Sequence, residues 1–434
     1  LADTDQVLEL VQTQQQFHDG IALANEILEK TPDDHDAAFL RALAYACLGE
    51  QERSLALYQA MLPGLKDHPS NYTNVLNNIA GLLTNLHRYE EAQAVLEQIA
   101  HLPHQIARIN QAQLYIGTGR WLEGWQLYRA RGVAKVYRTR HSTASIYRAQ
   151  TLNDILGRHV LFYHEFGLGD GIQFLRYAQL LQPLVPKLTI GVPAALQRLA
   201  RNLLVNNYQV IVGHDAYKDE PYVYDCEVVV PFLDAPVLFA NNSNAVPNEP
   251  YIAQMPYYVL MDRCISAYCK SFDNPRVGLC WAGNARPDDP VAAGIDRRRS
   301  LPIEALEPIL ELHRDFDFVS LQQPAKHVQD KRIAQPIRDA FDMLDTAAII
   351  SQLDLVIACD SAMAHLAAAL GKPTWLLSRY DGCWRWFYDD RTDSPWYPSM
   401  RLYRQPRAGD WASVIDRVVR DLERLNRGLD APAS

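Results

Sequence analysis

The pattern of apolar and polar positions changes once along the chain. Up to about residue 137 there are no strand-like segments, and the sequence reads as paired helices. From about residue 157 short apolar runs alternate with helix-length stretches. His159–Tyr163, Leu188–Val192 and the run after Cys226 read as strands, with helices at Ile172–Leu181 and Ala194–Leu204. A second such block begins at Arg276, with strands expected at Val277–Trp281 and Phe316–Leu321. Between them, Asn284–Ser300 reads as a long polar loop, rich in Asp, Pro and Gly. Asp345-Thr346 is expected to cap a helix over Ala347–Leu353. Asp354–Leu377, DLVIACDSAMAHLAAALGKPTWLL, reads as strand, turn, helix, turn, strand. A helix N-terminus at the carboxyl end of a parallel strand gathers free N–H groups and the positive end of a dipole. A well-capped βαβ unit without a ligand is the plainer reading of the same stretch.

The expected fold is therefore α followed by α/β: a helical solenoid, then two doubly wound α/β domains facing a cleft. The expected divisions are helical repeats over 1–137, a basic connector over 138–156, and α/β domains over 157–258 and 259–434. The last helix, from Asp410 to about Leu425, is expected to pack back on the first α/β domain.

Within the helical part, Phe17, Gly20, Ala24, Ile27 and Pro32 match half of a tetratricopeptide unit, and Ala42, Tyr45, Gly49, Ser54 and Tyr58 begin the next. Leu76, Ala80, Tyr89 and Ala92, then Ala112, Tyr115, Gly119 and Gly124, continue the pattern, giving about four degenerate repeats. Ordinary helical hairpins are the alternative. Asn78 and Asn110 fall at the same place in successive units. Amide side chains donate and accept, so they can hold a peptide backbone whatever its sequence.

A length of 434 residues requires more than one core. The net charge of −9 argues against general affinity for nucleic acid or anionic membrane surfaces and leaves room for a local basic pocket. Seven scattered cysteines suit a reducing compartment, so a cytoplasmic location is expected. No apolar run is long enough to span a bilayer, and no CxxC or Cys/His cluster has metal-ligand spacing. The first residues resemble neither a signal nor a transit peptide and lack an initial Met, so residues preceding Leu1 are expected.

Three places carry candidate chemistry. The GLGDG turn, Gly167 to Gly171, lets backbone approach a ligand, but it is not a dinucleotide fingerprint. Asp170 either forms a capping box with Gln173 or faces the cleft as a proton acceptor for a hydroxyl. Arg297-Arg298-Arg299-Ser300 is either a solvated charge run or a clamp for a diphosphate. Asp360-Ser361-Ala362 opens a helix, with His365 one turn inside.

The segments FGLGDGIQFLRYAQLL, VGLCWAGN, RRRSLPIEAL, FVSLQ, DSAMAHLAAALGKPTWLL, WRW and DSPWYPSMRLYRQ, in this order, resemble bacterial tetratricopeptide-containing glycosyltransferases. Their catalytic part is similar to the heptosyltransferases of glycosyltransferase family nine. The resemblance implies a GT-B pair of Rossmann-like domains with a nucleotide-sugar donor in the cleft, and no metal or other cofactor. It implies that Asp170 is the catalytic base, and that Asp360, Ser361 and Ala362 meet the diphosphate, supported by His365. Arg299, with Ser300, stands where the heptosyltransferases use a Lys. Gly167, Gly169, Trp281, Asn284 and Gln322 complete the expected donor site. Asn78 and Asn110 resemble the asparagine ladder of the O-linked N-acetylglucosamine transferases, which implies a protein or peptide acceptor along the repeats. A lipid-linked or saccharide acceptor and a non-catalytic adaptor are the alternatives, and homo-oligomerisation is left open.

Overall fold

The structure, a computed structural model, describes residues 2–13, 16–102, 105–131, 137–139, 142–145, 147–203, 208–212, 222–224, 226–239, 246–252, 274–286, 289–323, 328–336 and 342–428. The expected boundary at 258/259 lies outside these residues.

The N-terminal part is helical, as its lack of strand patterning requires. Phe17–Lys30, His35–Leu48, Gln51–Met61, Pro69–Asn85, Tyr89–Ile99, Gln105–Gly117 and Trp121–Tyr128 pack on their chain neighbours. The repeated small and large residues share a core: Ala42, Tyr58, Leu76, Ala80, Ala92 and Leu96 are all buried in it. Ser54 satisfies its buried hydroxyl by donating to the Ala42 carbonyl at 2.7 Å.

The strands are β1 (Tyr137–Thr139), β2 (Ser142–Ser145), β3 (Tyr147–Arg148), β4 (His159–Tyr163), β5 (Lys187–Val192), β6 (Tyr208–Val212), β7 (Tyr222–Tyr224), β8 (Val228–Pro231), β9 (Arg276–Cys280), β10 (Asp317–Ser320), β11 (Ile333–Ala334), β12 (Leu355–Cys359), β13 (Thr374–Ser378) and β14 (Met400–Arg404). The first α/β unit is a five-stranded parallel sheet of order β3-β8-β4-β5-β6. The second is a six-stranded parallel sheet of order β11-β10-β9-β12-β13-β14. In each sheet the chain steps outward from one strand and then returns to its other side. The reversals fall between β4 and β8 and between β9 and β12, the places where open α/β sheets hold ligands.

Several elements differ from expectation. The segment read as a polar loop contains a helix, Pro290–Arg299. Pro290 occupies its first turn, and the Asp289 carboxylate accepts from the N–H groups of Val291 and Ala292. The helix over Met343–Ser351 starts earlier than expected, because Asp342 caps it instead of Asp345. The connector is not merely a polar link: it supplies β1 to β3. The final helix, Trp411–Asn426, has its principal contacts with β14, Ile303–Leu306 and Glu307–Leu310 in its own α/β unit, rather than with the first one.

The helical part is joined to the α/β body by aromatic rings. Trp125 lies 5.5 Å from Trp384 and 5.7 Å from Phe174, and Trp121 lies 5.3 Å from Trp396. Tyr388 donates its N–H to the Gly117 carbonyl at 2.8 Å. His87 stacks on Tyr380 at 4.1 Å. The two α/β units are tied by Arg176, which donates to the Trp396 carbonyl at 2.7 Å.

Candidate active site

The helix Leu168–Leu175 follows β4, and the helix Ala362–Ala369 follows β12. They pack side by side, with both N-termini opening on one cavity of about 860 Å³. Gly169 makes this approach feasible, since a Cβ there would stand 2.9 Å from His365 Cδ2 and 3.8 Å from Ala362 Cα. Packing therefore accounts for this glycine. The strained residue of the turn is Phe166, at φ 65°, a region that L side chains rarely adopt. The residue is 54% exposed and lines the cavity.

Asp170 is the third residue of its helix, not the cap. Gly167 is the cap, and its N–H donates to Asp170 Oδ2 at 3.1 Å. Gln173, the expected partner in a capping box, is fully buried and takes no part. The other carboxylate oxygen accepts from Arg385. Arg385 rests over the Trp384 ring at 4.2 Å and donates to Cys383 Sγ at 3.0 Å. Burial favours its discharge and is the largest single effect, but Asp170, Cys383 and Tyr128 together outweigh it and hold its pKa above the usual value.

Across the cavity, Ser361 stands at the cap of the second helix, its hydroxyl 3.6 Å from Cys280 Sγ and making no capping bond, and Ala362 begins the helix. Arg299 donates to the Asp360 carbonyl at 2.9 Å and grips Asp296 Oδ1 at 2.8 and 2.9 Å. Burial works against its charge, yet Asp360 and Asp296 keep its pKa raised. The other two arginines of the run have other partners, although Arg298 also lines the cavity. Arg298 pairs with Asp381 at 2.9 Å, while Arg297 donates to the Cys47 carbonyl at 3.2 Å in the helical part. His365 is buried, holds the Tyr397 hydroxyl at 2.9 Å and stacks on Trp386 at 5.1 Å. Burial pushes its pKa down to about 4, against the pull of Asp360.

Of the residues expected in the donor site, Gly167, Gly169 and Asp170 line the cavity from one side. Asn284, Arg299, Asp360, Ser361, Ala362 and His365 line it from the other. Trp281, Ser300 and Gln322 are not in the lining; they build the wall behind. Gln322 Oε1 accepts from the N–H groups of Trp281 and Ala282 at 3.2 and 2.9 Å, and Ser300 Oγ accepts from Gly283 at 3.0 Å. Asn110 lines the cavity and donates to Asn77 Oδ1 at 2.9 Å. Asn78 does not line it; its amide donates to the Tyr58 hydroxyl at 3.1 Å. Asn85, on the same helix as Asn78, also faces the cavity, as do Gln113, Arg286, Arg379 and Arg385, which sequence reasoning did not single out. The WRW segment was the available signal for Arg385. Among the described residues no group of three or more His, Cys, Asp or Glu is placed to hold a metal ion, and no helix is long and apolar enough to cross a membrane.

Residues 336–377 match the profile of glycosyltransferase family 9 (heptosyltransferase). That span holds β12, the helix Ala362–Ala369 and most of β13. The matched family is one of glycosyltransferases. The Protein FlbA of Caulobacter vibrioides is 25% identical over 429 residues, covering 92% of this chain and 63% of that protein. The chain thus spans less than two thirds of that relative. The E. coli ADP-heptose lps heptosyltransferase II is similar over 62% of this chain and 99% of its own, at 11% identity and a TM-score of 0.39. A mutant O-GlcNAc transferase of Thermobaculum terrenum is similar over 98% of this chain and 90% of its own, at 11% identity and a TM-score of 0.35.

Proposed function

We propose that this chain moves a sugar from a nucleoside-diphosphate donor to an acceptor hydroxyl without a metal, and that the acceptor is a protein or peptide recruited along a tetratricopeptide-like solenoid. The observation that carries this reading is the convergence of two helix N-termini on one cavity, one presenting the Asp170 carboxylate and the other the free N–H groups of Ser361 to Met363. The second N-terminus and Arg299 take the diphosphate. Asp170 accepts the proton of the acceptor hydroxyl as its oxygen attacks the anomeric carbon. The bond from that carbon to the phosphate oxygen breaks, and its electron pair leaves with the diphosphate. Asn110 and Asn85 bring amides from the helical part to the same cavity. Asn78 lies on the same helix face as Gly81 and Asn85, three and seven residues away.

The test is turnover across a panel of nucleotide-sugars, followed by Asp170→Ala. The variant is expected to fold and to bind nucleoside diphosphate, but to lose about 10²–10⁴-fold in transfer or donor hydrolysis. Wild-type turnover of none of the donors sinks the enzymatic reading; undiminished turnover in the variant sinks the base assignment.

A further inference from the structure

Arg385 is placed to serve two anions. We infer that its guanidinium exchanges between Asp170 and the donor's diphosphate, so that the carboxylate is released as the diphosphate binds; this rests on the donor site proposed above.

The geometry behind this is a contest for one cation. Asp170 sits in the first turn of Leu168–Leu175, and that helix lies against Ala362–Ala369 with Gly169 almost touching His365 and Ala362. The carboxylate and the Ser361–Ala362 amides therefore open on one cavity, and Arg385 faces it too. Three of the other cations at this wall are held by protein anions and carbonyls, while Arg286 lines the cavity beside Gly167. Arg299 holds Asp296 and the Asp360 carbonyl. Arg298 and Arg379 both hold Asp381, at 2.9 and 3.1 Å. Arg385 is different, because its carboxylate partner is itself a cavity residue and the proposed base. Its anchors on the far side, the Trp384 ring and Cys383 Sγ, are uncharged and leave the guanidinium its charge to offer. The groups facing Asp170 are the Gly167 N–H and Arg385, with His365, Tyr128 and Tyr397 close enough to feel its charge. Arg385 is the only cation bonded to it among the described residues. A diphosphate carries more charge than a carboxylate and accepts a guanidinium through two parallel bonds, so it can draw Arg385 across. Freed of that bond, Asp170 Oδ1 becomes a better acceptor for a hydroxyl proton.

The consequence is ordered binding, donor before acceptor, and a dependence on Arg385, read in the double variant, that loss of the Asp170 charge alone does not produce. Calorimetric titration of the full chain with ADP, GDP and UDP selects the diphosphate that binds best. Asp170→Asn, which removes the competitor for Arg385, is expected to bind it about tenfold more tightly than wild type. Arg385→Gln is expected to bind about tenfold more weakly or worse, and the double variant to resemble Arg385→Gln. Unchanged or weaker binding by Asp170→Asn, or binding by none of the three diphosphates, overturns the exchange. Circular dichroism of each variant shows that it folds. Should Arg385→Gln fail to fold, the Asp170→Asn titration decides alone. The proposed function fails separately, if wild type binds a diphosphate yet turns over no donor sugar.

Discussion

Replacing Gly169 by Ala tests the contact that sets the two helix N-termini side by side. In an unobstructed helix this change stabilises by about 0.5–1 kcal/mol, through lost freedom of the unfolded chain. At Gly169 the new methyl would stand 2.9 Å from His365 Cδ2 and 3.4 Å from Nε2. Carbon atoms rest at about 3.5–4.0 Å, so one side must yield by about half an ångström or more. His365 cannot swing aside: it is 4% exposed, bonded to Tyr397 and stacked on Trp386. The helices must part instead, and such overpacking destabilises by about 1–3 kcal/mol. The net expectation is a loss of about 1–2 kcal/mol. Gly81 is the matched control. It lies inside the helix Pro69–Asn85, and nothing stands within 4 Å of an added Cβ. Gly81→Ala is therefore expected to stabilise by about 0.5–1 kcal/mol. Urea denaturation followed by tryptophan fluorescence compares the two, with Trp386 reporting beside His365. Finding Gly169→Ala as stable as Gly81→Ala would refute the steric account.

Two further outcomes follow from buried charge. His365 titrates at about 4 in the fold and near 6.5 when unfolded, so between those values the unfolded chain binds more protons. Stability contributed by the neutral ring is complete above pH 6.5 and is lost as pH falls toward about 4, by up to about 3 kcal/mol. His365→Gln is expected to flatten the pH dependence of the denaturation midpoint in that window; an unchanged slope contradicts the shift. Arg131 is 2% exposed at its side chain and pairs with Glu165 at 2.6 Å and Asp234 at 2.9 Å, beneath the ends of β4 and β8. Arg131→Met leaves buried carboxylates short of a partner and is expected to lower stability by about 3–5 kcal/mol, read as soluble yield and denaturation midpoint; a fall below 1 kcal/mol would show that Arg148 and Arg129 suffice.

What could be read in the sequence was whatever local chemistry decides. The apolar runs of β4, β9 and β12 are buried along almost their whole length, which is the condition that makes such runs conspicuous. The start of Ala362–Ala369 after β12 is legible for the same reason. The helix Pro290–Arg299 was hidden, although Asp-Pro is also a helix-start signal, because Gly294 and the nearby prolines suggest a loop just as strongly. What sequence cannot supply is the pairing of distant charges. The spacing around Asp170 says nothing of Arg385, 215 residues away, and the triple arginine gives no sign that its members face three different neighbours. The asparagines illustrate the limit most simply. Asn78 and Asn110 have equivalent positions in the expected repeat, yet Asn110 reaches the cavity and Asn78 bonds Tyr58.

The cavity shared by the two parts narrows what an acceptor has to be under the proposed chemistry. Gly81, Thr84, Asn85, Asn110 and Gln113 share one volume with Asp170 and Ser361, so the helical part is a wall of the cavity as well as a neighbouring surface. The chamber holds about 860 Å³, within the range of about 300–1,000 Å³ that accommodates a small ligand. A nucleotide-sugar takes most of that space. A folded domain cannot follow it in, but one side chain on an extended segment can, with its backbone held by amides at the mouth. The walls also resist being pushed apart. Tyr388 is bonded to Gly117, and an added Cβ at Gly117 would stand 2.3 Å from the Tyr388 ring, so helix and α/β body are already at closest contact there. Acceptor choice would then depend on whether a hydroxyl-bearing segment can be extended and threaded, more than on the shape of the protein that carries it.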